Sequence, residues 1–137
     1  LETALRDDAL TAVPAGFELR LGLPWIRSMP LSSVAGLAVE VDGVPVAAGL
    51  VSVVLGARRV PADALQAESG WWFIQDRLVL AFPQEISAGA HAVAVDFTLM
   101  VPYLQAPSGS ALVLPFHVEA RLAVRPAVVP GISRDVA

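Results

Sequence analysis

Apolar residues recur at every second position along most of this chain, the spacing of strands that bury one face and wet the other. In Phe17-Glu18-Leu19-Arg20-Leu21 they alternate with charges. Leu37, Val39 and Val41 alternate with Ala38, Glu40 and Asp42. Asp42-Gly43 then supplies a hairpin turn, because both central residues of a type I′ turn take positive φ. Val44-Pro45-Val46 begins the return, and Pro45 implies a short or edge pairing. Leu50 to Leu55 is a β-branched run of the kind a buried strand carries. Trp72 to Ile74 and Leu78 to Phe82 are predicted strands separated by the polar Gln75-Asp76-Arg77. Two longer strands follow: His91, Val93, Val95, Phe97, Leu99 and Val101 share one face of the first, and Leu112, Leu114, Phe116, Val118, Ala120, Leu122 and Val124 one face of the second.

Turn residues punctuate the rest. Pro102 to Ser110 reads as a loop, on Pro102, Pro107, Ser108 and Gly109. One short helical turn is expected near Pro61 to Gln66, with Pro at its first position. Many short strands with Gly/Pro punctuation predict an all-β, single-domain protein, an antiparallel β-sandwich of jelly-roll type. The sandwich is expected over 15–125, with an N-terminal extension over 1–14 and a C-terminal tail over 126–137. Pro126, Pro130 and Gly131 argue against a regular element in the tail, which is expected to be disordered or laid along a partner.

Composition narrows the function. Of 137 residues, 55% are hydrophobic and 16% charged, which is too apolar for a disordered chain. Two readings of that richness stand side by side: apolar surface covered by a partner, or a simple Ala/Val bias with scattered exposed side chains. There is no Cys, so neither a disulfide framework nor thiolate chemistry is available. Every basic residue is Arg, and the net charge is −4 without a basic stripe, which disfavours nucleic-acid binding. No apolar run approaches the roughly 18 residues of a membrane span. The opening Leu1-Glu2-Thr3-Ala4 does not read as a secretory leader, and a cytoplasmic protein is the expectation.

No constellation for catalysis stands out. A catalytic metal on an all-β scaffold wants three or more His or carboxylate ligands, and the chain has two His. His91 falls on the apolar face of its strand; His117 falls on the opposite face of the next, with Glu119 and Arg121 at spacing two. That trio reads either as a solvated outer face with an ion pair or as part of a subunit interface. There is no nucleophile elbow and no phosphate-binding glycine motif. No two of Glu68, Asp76, Glu85 and Asp96 are singled out as a carboxylate pair. The sequence therefore predicts no catalytic residue, no metal ligand and no cofactor on this chain.

Two stretches have the composition of contact surfaces. Leu23-Pro24-Trp25-Ile26-Arg27-Ser28-Met29-Pro30-Leu31-Ser32 is stiffened by two prolines and carries Trp, Arg and Met, residue types enriched at interfaces. It is read either as an interface loop or as a crossover whose Trp25 plugs one end of the sandwich. In Trp71-Trp72-Phe73, strand geometry turns one Trp to the core and its neighbour outward. The candidate partner-interface or pocket-rim residues are Trp25, Arg27, Met29, Pro30, Trp71, Trp72 and Tyr103.

Several of these pieces carry a family resemblance. Gly16-Phe17-Glu18-Leu19-Arg20-Leu21, Pro24-Trp25-Ile26-Arg27-Ser28-Met29-Pro30-Leu31-Ser32, Leu37 to Gly43, the Trp71-Trp72-Phe73 region, and Gly89-Ala90-His91-Ala92-Val93 leading to Val101-Pro102-Tyr103 occur in order over residues 16–124. In this order they resemble the small β subunit of the bacterial C-glycoside deglycosidases, with Ile26 and Ser28 standing where that family is expected to carry an aromatic and a Gly. The resemblance implies a β-sandwich bound to a larger TIM-barrel α subunit, which holds a divalent metal, usually manganese, and the acid/base residues. It implies a 3-oxo-C-glycoside as substrate of the complex, a carbon–carbon lyase that acts by elimination. The chain itself is then a supporting subunit of a hetero-oligomer, not catalytic alone. The rival expectation is a non-enzymatic sugar-binding or assembly β-sandwich, for which an outward Trp71 or Trp72 would serve.

Overall fold

The computed structural model describes residues 4–25, 27–105, 109, 111–126 and 134–135. Its strands are β1 (Leu10–Val13), β2 (Gly16–Gly22), β3 (Met29–Pro30), β4 (Val34–Val41), β5 (Val44–Pro45), β6 (Ser52–Leu55), β7 (Arg58–Pro61), β8 (Trp71–Trp72), β9 (Asp76–Phe82), β10 (Ala90–Gln105), β11 (Ala111–Ala123), β12 (Arg125–Pro126) and β13 (Arg134–Asp135). One sheet runs β12-β1-β2-β9-β6-β7, with β13 also on β9; the other runs β11-β10-β4-β5; β3 and β8 form a separate ribbon. Pairing is antiparallel except for β12 on β1 and β13 on β9. The alternation explains the packing: Phe17, Leu19 and Leu21 of β2 and Leu78 and Leu80 of β9 enter one core with Val93, Val95, Phe97 and Leu99 of β10. The protein is thus an all-β sandwich with one hydrophobic core.

Local chemistry sets the turns. Asp42 and Gly43 both take positive φ, at 53° and 79°, and β4 returns as the two-residue β5, as a type I′ turn and Pro45 require. The expected helical turn is a 3₁₀ turn at Ala62–Ala67, with Pro61 as its cap residue rather than its first position.

Four expectations change. The segment taken as an extension, 1–14, supplies β1, and Ala4, Leu5, Ala9 and Leu10 are core residues. Its four-residue strand is too short to announce itself by alternation, and its partner β2 defines it. The tail is bridged to the large sheet twice, at Arg125–Pro126 and Arg134–Asp135, so the boundary at 125 falls within a short strand; its other residues lie outside the described ones. Asp76 and Arg77, taken as a polar break, belong to β9 and are buried; the Asp8 carboxylate, 2.7 Å from the Arg77 guanidinium, makes the burial of Arg77 tolerable. Finally, β10 continues through Pro102 to Gln105, and the remainder of the expected 102–110 loop falls mostly outside the described residues.

Candidate partner interface

The two stretches that stood out by composition meet in space. Met29 pairs with Trp72 and Pro30 with Trp71 across β3 and β8, and the Ile74 amide donates to Ser28 Oγ at 2.8 Å. Strand alternation then divides the ribbon. Met29 and Trp72 point inward and are 1% and 0% exposed, whereas Trp71 is 48% exposed on the other face, with Pro30 half-buried beside it. After Trp72 the strand ends, the alternation lapses, and both Phe73 and Ile74 stand exposed, at 45% and 48%. Trp71, Phe73 and Ile74 put three large apolar side chains in solvent within four residues of chain, an apolar platform, whereas the exposed Val44, Leu50, Met100 and Val113 are spread along the sequence.

The platform has rigid footings. The Trp72 indole N–H donates to the Asp76 carbonyl at 3.2 Å, and its ring lies 5.9 Å from Phe97. Phe97 stacks on Phe116 at 5.5 Å, and Phe116 meets the edge of Trp25 at 6.0 Å. One aromatic chain therefore anchors both stretches to β10 and β11. Trp25 is half-buried, packed against the core through that contact. Arg27 is exposed. Of the residues selected from sequence, Met29 and Trp72 are corrected to core positions, because alternation turns them inward. The Tyr103 and Ile26 side chains lie outside the described residues. Ile74 was missed as a surface residue, since it looked like the end of a strand; the polar Gln75 after it is the signal that the strand stops early.

Among the described residues, the His and carboxylate groups tie strands and turns together. His91 donates from Nδ1 to Asp42 at 2.6 Å and from Nε2 to the Ser87 carbonyl at 2.8 Å. The Asp42 hydrogen bond, then the Ser87 carbonyl, raise its pKa above the ordinary imidazole value. The same bond, with the Ala92 amide, lowers the Asp42 carboxyl. His117 is exposed on the outer face of β11, with Nδ1 2.6 Å from Asp96 and Nε2 3.2 Å from Glu119; Asp96 first and Glu119 second raise its pKa. With both ring nitrogens facing acceptors, the protonated form of each imidazole is favoured. Among the described residues no group of three or more His, Cys, Asp and Glu is placed to hold a metal ion, and no helix is long and apolar enough to cross a membrane.

The family model described as "C-glycoside deglycosidase beta subunit" matches residues 2–103. A 3'-dehydrocarminate deglycosidase beta subunit from a Microbacterium species is 30% identical over 105 residues, covering 75% of this chain and 80% of the relative. C-glycoside deglycosidase beta subunits from Arthrobacter globiformis and Microbacterium trichothecenolyticum are 36% and 35% identical, each covering 66% of this chain and 70% and 69% of their own lengths. The matched residues run from the N-terminal segment through the Trp25 loop, the Trp71 ribbon and most of β10, and the chain belongs to the C-glycoside deglycosidase beta subunit family.

Proposed function

We propose that the chain works in the cytoplasm as the supporting subunit of a heteromeric C-glycoside deglycosidase, bound to a TIM-barrel α subunit. The single observation that carries the docking part is the exposed platform of Trp71, Phe73 and Ile74 on a member of a family of beta subunits. Pro30 lies beside Trp71, and the same stretch carries the half-buried Trp25 and the exposed Arg27, the Trp/Arg composition typical of binding hot spots.

In this reading the α subunit acts on a 3-oxo-C-glycoside. The ketone acidifies the neighbouring sugar C–H, a base removes that proton, and the C–C bond to the aglycone breaks by elimination. The acid/base groups and the divalent metal, manganese in the family's pattern, belong to the α subunit. No step is assigned to the described residues of this chain. Co-expression with candidate α subunits tests the reading: a stoichiometric complex that turns over a 3-oxo-C-glycoside is expected, with no turnover by either chain alone. A chain that stays apart from every such partner would remove it. The exposed Trp71 also favours a second reading, a sugar-binding module; saturable quenching of its fluorescence by free glycans, without a partner, is the result that would select it.

A further inference from the structure

The 13-residue β11 ends its sheet: β10 pairs with one edge, and among the described residues no strand pairs with the other. Long open edges are templates for another strand, so native proteins usually break or cover them. Backbone geometry identifies the open groups. Ala92, opposite Arg121, donates to Asp42 Oδ1 at 2.9 Å and accepts from the Asp42 amide at 2.7 Å, so its main chain faces β4 and not β11. In an antiparallel ladder the two members of such a pair both point away from each other. The amide and carbonyl of Arg121 therefore face the open edge, as do those of His117 and Glu119 by the period of two. Pro115, which lacks an N–H, shares that parity, as an edge strand allows.

The usable edge is bounded. Pro115 ends it on one side, and Arg125, whose strand turns away to pair with Thr11 of β1, ends it on the other. Ala120 is midway between them. A second copy laid antiparallel about Ala120 puts Glu119 opposite Arg121 of the other copy, twice. His117 then faces the second Ala123. Both side chains of each pair lie on the same outer face, and both are exposed. No like charges sit directly opposite each other in this register. Over 117–123 this edge has no bulge, and its exposed charges alternate in sign, so in this register a second copy meets them with opposite charge. Leu112, Leu114 and Phe116 on the inner face are only half-buried, so a continued sheet has apolar surface to cover.

We infer that β11 is a self-association edge, through which two copies of this chain join their four-stranded sheets about Ala120. The inference does not depend on the companion subunit, and β11 lies beyond the residues matched by the family model.

Sedimentation equilibrium of the full chain tests it. A concentration-dependent dimer is expected. Glu119→Arg, which turns two attractive cross-strand pairs into repulsive ones, is expected to weaken it at least about tenfold, and adding Arg121→Glu should restore it to within about threefold of the parent. Glu119→Pro removes an outward donor without touching the β10 ladder and should also weaken the dimer; the charge swap keeps the test valid if that variant folds poorly. A chain that stays monomeric throughout overturns the inference, as does a dimer indifferent to both Glu119 variants. So does amide protection at His117, Glu119 and Arg121 that arises only with a different subunit, since the edge would then belong to that subunit.

Discussion

Gly16 begins β2 with φ at +150°, and a Cβ there would meet the Phe82 carbonyl oxygen at 1.9 Å. Only glycine both tolerates that backbone and leaves room for it. The next pair, Phe17 and Phe82, stacks at 4.4 Å, so β2 and β9 cannot separate without opening the core. Gly16→Ala is expected to cost about 3 kcal/mol or more, from strained φ and displaced backbone together; urea unfolding would show a lower midpoint at unchanged slope. Trp72 is the other position where one side chain sets much of the stability. It is 0% exposed, and Trp72→Ala should cost about 3–5 kcal/mol in the same measurement. At the neighbouring Trp71, open to solvent, the same truncation should leave the midpoint within about 0.5 kcal/mol. The inward and outward fates of adjacent tryptophans were legible in the sequence because strand geometry dictates them. That Trp72 took the inward place was not, since it depends on packing against Phe97, remote in sequence, along with the bond to the Asp76 carbonyl.

The hairpin of β4 and β5 depends on charge as well as turn chemistry. Asp42 sits at the turn with positive φ, and its carboxylate receives the Ala92 amide and His91. His91 in turn reaches the Ser87 carbonyl, so one imidazolium ties the turn, the start of β10 and the loop before it. Arg121 is the opposing charge nearby: it disfavours the cation on His91 and favours the anion on Asp42. The raised His91 pKa makes its contribution complete below the unfolded value of about 6.5 and lost as pH rises through the folded one; the lowered Asp42 pKa makes its contribution complete above about 3.9 and lost as pH falls. These are two faces of one contact. His91→Gln should therefore lower the melting temperature most between about pH 4 and pH 6.5, and progressively less in alkaline buffer. A difference that persists undiminished into alkaline buffer would show that shape, not charge, matters at His91. At the scale of elements, β2, β4, β10 and β11 were legible because each alternates over seven or more residues. β1, β12 and β13 were not, since strands of two to four residues exist only through their partners. Asp76 and Arg77 misled for a related reason: the ion pair that permits burial of Arg77 comes from Asp8, remote in sequence.

For the whole molecule, the question is what the open platform of Trp71, Phe73 and Ile74 contributes to an assembled enzyme. Two roles predict different kinetics. If Trp71 holds the companion subunit, its loss weakens assembly and leaves the assembled site intact. If it lines the sugar pocket, its loss changes turnover even when assembly is complete. Diluting the co-purified complex and adding back the β chain separates these cases, because activity then reports the fraction assembled. With Trp71→Ala, the β-chain concentration for half activation should rise about thirtyfold or more, the loss of an anchor worth about 2 kcal/mol. At saturating β chain, kcat and KM should match those of the parent. Arg27→Ala should move the half-activation point in the same direction, by less if it lies on the wet rim of the contact. Parent-like assembly with a changed KM would move Trp71 from the interface to the substrate. Parent-like values of both would take the platform out of the enzyme's working surface altogether.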